Sequence, residues 1–213
     1  MPLNLKNPDR PIHVGVILMG VTEVLDVAPI DLLHGLTNNF MEAWSLRDSY
    51  KAKGLDMEFH WVTQNGTPGQ LTSGIKIEAT DSFETCAKLD IVLIGAYAPG
   101  YSPTEAELAF IRQAYEHSSA FITICGGFVP AQLAGVLVGH TCTAPRSMIP
   151  KLQKEDPRTT WVEKRYVRDG KLWSSGTLLN GLDLMSNFCL EYWPELAETL
   201  IPLSGLPERS IDY

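Results

Sequence analysis

The sequence predicts an α/β fold, a mostly parallel sheet with helices on both faces, and three observations carry that prediction. Strand-like and helix-like segments alternate along the whole chain. Several strand-like runs, HVGVILM, DIVLIG and AFITI, are almost wholly apolar, as strands buried on both faces are. One of them stops at Cys125 and is followed at once by Gly126 and Gly127, the composition of a tight strand-to-helix turn.

Taken in order, His13 to Met19 reads as the first strand, and Leu25 to Trp44 as an amphipathic helix. Glu58 to Thr63 is a second strand, Gly74 to Ala79 a short extended piece, and Asp90 to Gly95 a buried strand. Ser102-Pro103-Thr104-Glu105 opens the next helix: serine suits the N-cap, proline the first turn, and Glu105 would complete a capping box. That helix is expected to reach His117, and the run to Ile124 is the elbow strand. Val129 to Leu137 reads as a helix, with Pro130 tolerated in its first turn. Thr141 to Ala144 is a short strand, Trp161 to Trp173 a hairpin turning at Asp169-Gly170, and Leu182 to Leu196 the closing helix.

The chain has 213 residues, 45% of them hydrophobic, enough to bury one sizeable core without disulfide staples. A single domain over 1–213 is expected, with its core at 11–200 and a tail at 201–213. Four cysteines at irregular spacing, with no C-x-x-C pair and no apolar secretory stretch near Met1, point to free thiols in the cytoplasm. The apolar runs fall well short of a membrane span. A net charge of −8, from 17 basic and 25 acidic residues without a Lys/Arg block, argues against nucleic acid as a partner.

Ligands of parallel sheets bind where the strands end, so Cys125 and the loops after Met19 and Gly95 should converge there. A cysteine at the start of a helix is exposed to partial positive charge, which lowers a thiol pKa from about 8.5 towards roughly 3.5–7.5. The opposing reading is that Cys125 fills space, as cysteine often does. Cys86, Cys142 and Cys189 lack the strand and Gly-Gly context and are read as packing residues.

In order and spacing, several segments resemble the ThiJ/PfpI superfamily: HVGVILM with Leu25-Asp26-Val27-Ala28-Pro29, DIVLIGA, ITICGGF, and VRDGKLWSSGTLLNGLDL. The resemblance implies a flavodoxin-like fold related to class I glutamine amidotransferases. The last block is similar to a subgroup holding isonitrile hydratases and the amidase-like halves of certain transcriptional regulators. Those regulators append a helix-turn-helix domain, and the end of this chain at Tyr213 leads us to expect no such role. A homodimer is a further expectation from the resemblance.

Departures from the pattern sharpen the chemistry. Gly126 stands where relatives often carry threonine or histidine, and Thr143-Ala144-Pro145 where a histidine is common. Without a Cys/His pair, thiol-protease chemistry lacks its base. The acidic residue of the L-D motif, Asp26, is then the expected partner of Cys125, with Glu23 as second choice and helix N-capping as the non-catalytic reading. A carboxyl held against a thiol in a dry crevice stays protonated more readily. It suits an isonitrile-hydratase-like reaction.

Catalytic expectations therefore fall on Cys125, Asp26 and Gly126, with backbone N–H groups of Gly126 and of the Ala96–Tyr97 loop as donors to developing charge. Ala96, Tyr97, Gly127 and Phe128 are expected at the substrate, and Trp61 and Tyr101 either shape the pocket or pack in the core. No cofactor is expected. His60 and His140 have no ligand partner at i+4 and no cysteine pair nearby, so no metal is expected either. Two other readings compete with the hydratase: an enzyme acting on a reactive carbonyl or biosynthetic intermediate, glyoxalase-like or a cyclase or lyase, and a non-enzymatic redox sensor using Cys125.

Overall fold

A computed structural model of the chain describes residues 1–44 and 48–213. Seven strands form its central sheet: β1 (Ile12–Ile17), β2 (Met57–Thr63), β3 (Asp81–Ser82), β4 (Ile91–Ile94), β5 (Ala120–Ile124), β6 (Tyr166–Asp169) and β7 (Leu172–Ser175). Their spatial order is β6-β7-β5-β4-β1-β2-β3. Every neighbouring pair is parallel except β6 and β7. This is the flavodoxin-like α/β arrangement.

The central strands serve two cores at once. Alternate residues of a strand point to opposite faces, so Val14, Leu93, Ile122 and Ile124 join one buried cluster with Leu184 and Phe188. Their neighbours Ile17, Val92, Ile94 and Phe121 join the other, with Ile111 and Leu137. Helix Leu179–Tyr192 covers the first face and helix Glu105–His117 the second.

Several boundaries differ from the sequence reading, each for a local reason. The expected helix from Leu25 to Trp44 is three short ones, Val24–Val27, Ile30–His34 and Asn38–Ala43. Pro29 interrupts the first pair, and Thr37 recaps the third by accepting from the Phe40 N–H at 3.3 Å. The capping box is real but lies two residues later, with Thr104 as N-cap and Glu107 as its reciprocal partner. The elbow helix is only Phe128–Leu133, preceded by a 3₁₀ turn at Cys125–Gly127.

Near the C-terminus, the hairpin comprises only Tyr166–Asp169 and Leu172–Ser175, with Gly170 at a φ of +62° in its turn. Trp161 instead pairs with Cys142 in a separate small ladder. The closing helix begins earlier, at Leu179, and ends at Tyr192, because Pro194 opens a new helix reaching Leu203. No described helix is long and apolar enough to cross a membrane. All four cysteines are free thiols.

Candidate active site

Cys125 sits where β5 ends, flanked by β4 and β7, and its backbone φ is +56°. A residue carrying a side chain pays about 1–3 kcal/mol for that conformation, so its surroundings must enforce it. The Cys125 N–H donates to the Gly176 carbonyl at 3.1 Å, just past the end of β7. A β-carbon at Gly127 would lie 2.1 Å from the Ile94 carbonyl oxygen, which reserves that position for glycine. The turn thus lifts the sulfur above the sheet edge, half-buried.

Asp26 reaches the same point from the loop after β1, in the short helix Val24–Val27, and is 0% exposed. Its Oδ2 accepts from the Ala96 N–H at 3.0 Å, while Oδ1 is buried without a hydrogen-bond partner among the described residues. Gly95 permits the approach, since a β-carbon there would meet Cβ of Asp26 at 2.8 Å. The acidic oxygens of Glu23 and Asp26 and the sulfur of Cys125 all lie within 4.8 Å of one another. Such a trio could also chelate a thiophilic cation, with the nucleophile as one of its ligands.

Burial dominates the electrostatics of this pair. It pushes the Cys125 thiol up to about 12, and the nearby charge of Asp26 adds to the effect while the Gly126 N–H opposes it. Burial likewise raises Asp26 to about 6 against the pull of the Ala96 N–H, with the charge of Glu23 adding to the rise. The expected low-pKa thiol is therefore corrected: the elbow helix has six residues and little dipole, whereas desolvation and two carboxylates disfavour the thiolate. At neutral pH the resting pair is a neutral thiol beside a mostly ionised carboxylate.

The structure brings Cys125, Asp26, Gly126, Gly127 and Ala96 together. Ala96 does not offer its N–H to a substrate, however, because that donor already holds Asp26. Its methyl group lies against Gly126, where an added β-carbon would come within 3.0 Å of it. Tyr97 bridges to Thr22 through its backbone, and its half-buried ring packs edge-on to Tyr101 at 5.4 Å. The Tyr101 hydroxyl donates to Glu107 at 2.6 Å.

Phe128 is a correction as well: it is 1% exposed and packs edge-on against Trp161 at 5.3 Å, so it belongs to the core under the elbow. Trp61 packs against the opposite core cluster from β2. The five histidines all find contacts elsewhere: His13 with His60, His34 with Phe40 and Phe59, His117 with the Gln113 carbonyl, and His140 with Tyr115.

Three contributors escaped the sequence reading. Gly95 and Gly176 are visible as glycines, but their roles depend on close approach from distant segments. Leu178 adopts φ +42° and ψ −98° just before helix Leu179–Tyr192, with its N–H outside hydrogen-bond geometry yet near enough to Asp26 to favour the carboxylate. Nothing about a leucine signals such a backbone.

Comparison with known proteins bears on the fold and the family. An isonitrile hydratase from Pseudomonas putida is 29% identical over 133 residues, an alignment covering 60% of this chain. The aligned part spans 56% of that enzyme. A ThiJ/PfpI family protein from Pseudomonas syringae superposes with a TM-score of 0.76 at 19% identity, covering 94% of this chain and 77% of that one. DJ-1beta of Drosophila melanogaster superposes at 0.73 with 16% identity, covering 93% of this chain and all of that one. At these identities the two structures attest to the fold alone. The profile of the DJ-1/PfpI family matches residues 35–191, which takes in β2 to β7 and the elbow, and the chain belongs to that family.

Proposed function

We propose that this protein is a cysteine-dependent enzyme that hydrates a small isonitrile to an N-formamide, with Cys125 as nucleophile and Asp26 as its proton carrier. The observation that carries the reading is the buried Asp26 carboxyl, one oxygen held by the Ala96 N–H and the other without a hydrogen-bond partner among the described residues, close to the sulfur. A carboxyl raised to about 6 exchanges protons readily near neutrality. The resemblance to an isonitrile hydratase adds support.

In this reading Asp26 takes the Cys125 proton and delivers it to the terminal carbon of the isonitrile as sulfur bonds to that same carbon. The product is a thioimidate, R–N=CH–S-enzyme. Asp26, again ionised, takes a proton from water as the oxygen adds to the carbon. Asp26 passes that proton to the nitrogen, giving R–NH–CH(OH)–S-enzyme; the C–S bond then breaks as the hydroxyl proton returns through Asp26 to the sulfur, which restores the thiol and releases R–NH–CHO. The Gly126 N–H, which already favours negative charge on sulfur, assists the first step. In this reading the substrate would sit beside Cys125 against Tyr97, Ala96 and the backbone of Gly127.

Incubation with a small alkyl isonitrile tests the proposal directly. Wild type should form the N-formamide catalytically, and Cys125→Ala should not. A wild type that leaves a series of alkyl isonitriles intact yet consumes methylglyoxal would replace this reading with the carbonyl one. The redox-sensor reading is weakened by the thiol itself, because oxidation follows thiolate character and burial suppresses it here.

A further inference from the structure

A second constellation of chemistry-bearing side chains lies at the opposite end of the sheet, where β1 and β2 begin. His13 and Glu58 are register partners on these parallel strands, and His60 follows two residues after Glu58 on the same face. His13 Nδ1 lies 3.0 Å from His60 Nε2 and 3.4 Å from Glu58 Oε2. All three donor atoms fall within 4.8 Å of one another. Donor atoms bound to one tetrahedral zinc at about 2.0–2.1 Å stand roughly 3.3 Å apart, so the trio needs only small adjustments to close on a cation.

The surroundings prepare His60 for such a role. Its Nδ1 lies 2.8 Å from Asp81 Oδ2, and Asp81 also accepts from the Thr80 hydroxyl at 2.7 Å. A carboxylate acceptor at Nδ1 keeps the proton there and leaves a lone pair on Nε2, the nitrogen facing His13. The backbone of His13 is anchored as well, because its N–H donates to Asp90 at 3.0 Å and Asp90 is clamped by both guanidinium nitrogens of Arg10. The side chains of His60 and Asp81 are 12% and 16% exposed, whereas that of Glu58 is 56% exposed. The site is therefore supported from inside and reachable from solvent.

We propose that His13, Glu58 and His60 form a binding site for a zinc-class divalent cation, with Asp81 orienting His60 and water completing the coordination. Two imidazoles and a carboxylate select zinc, copper(II) or nickel over magnesium, which prefers an all-oxygen shell. The two carboxylates, one ligating and one behind the histidine, balance the charge of the cation. The i+4 spacing rule missed this site because its histidines are joined across two strands rather than along one helix. It is independent of the chemistry at Cys125.

Equilibrium dialysis and titration calorimetry of the whole chain with Zn²⁺ test the assignment, with Mg²⁺ as control and circular dichroism to verify folding. Wild type should take up one Zn²⁺ per chain at the site, and His13→Ala and His60→Ala should each weaken it at least 100-fold. Asp81→Asn should weaken it about 10- to 100-fold, as expected for a residue that orients a ligand. Cys125→Ser should retain the site, and Co²⁺ bound to it should lack a thiolate charge-transfer band. Failure of wild type to bind zinc stoichiometrically would overturn the proposal. So would binding that survives His60→Ala in a folded protein, or that disappears with Cys125→Ser.

Discussion

The chemistry of the candidate site turns on one carboxyl and one thiol whose burial sets their protonation. If the proton shuttle operates, kcat/KM should rise with pH through about 6 as Asp26 ionises, and hold until the thiol ionises far into the alkaline range. The state with a neutral carboxyl and a thiolate carries the same number of protons, so the profile reports the pair as a whole. Asp26→Asn should remove the lower limb and cost about 10²-fold or more in kcat. It should nonetheless speed alkylation of Cys125 by iodoacetamide, because the charge of Asp26 holds the thiol up. Slower alkylation in this variant would show that Asp26 activates the sulfur in the resting state.

Stability should move in the opposite direction to activity at this residue. The folded pKa of Asp26 lies above the ordinary value of about 3.9, so the folded state binds the extra proton between those values. Stability is then greatest below the unfolded pKa and is lost as pH rises through about 6. The loss by pH 7 is on the order of 2–3 kcal/mol. Asp26→Asn should therefore melt higher than wild type at pH 7, with the gap closing towards pH 4. Helix capping, the alternative left open by the sequence, does not apply, because Glu23 holds the N-cap position; a fall in melting temperature at pH 7 would instead assign Asp26 a structural role through its hydrogen bond from the Ala96 N–H.

At the scale of elements, the elbow is held by the packing beneath it and by glycines where other segments approach closely. Phe128→Ala should cost about 3–5 kcal/mol through the cavity left beside Trp161, with KM of the folded fraction unchanged. Denaturant unfolding measured alongside steady-state kinetics separates the two quantities. Gly95→Ala should act in the reverse sense, since its β-carbon would press on Asp26 and displace the carboxyl from Ala96. Turnover should fall there by more than the folded fraction does. Thr104→Ala should cost about 1 kcal/mol through loss of the N-cap, read by denaturant unfolding.

At the scale of the whole molecule, we propose a homodimer. Leu178, Leu179 and Leu203 expose large apolar side chains at the C-terminal helices. Sedimentation at micromolar concentration should give a species of twice the 23.6 kDa chain mass, and a lone 23.6 kDa species would contradict it. Leu178 also carries the strained backbone beside Asp26. Association that covers Leu178 would bear directly on the site.

Local patterning determined a great deal by itself: the apolar runs gave the strands, Gly170 the hairpin turn, and Cys125-Gly126-Gly127 the elbow, because periodicity and backbone freedom are properties of neighbouring residues. Asp26 too was legible through the Leu25-Asp26 motif. Only the tertiary structure decided the protonation of the pair, since desolvation depends on what the rest of the chain packs around it. It also decided that Ala96 holds Asp26, that Phe128 is core, and that His13 meets His60. Each of those facts arises from segments brought together across the sheet, and sequence spacing carries no record of distance between strands.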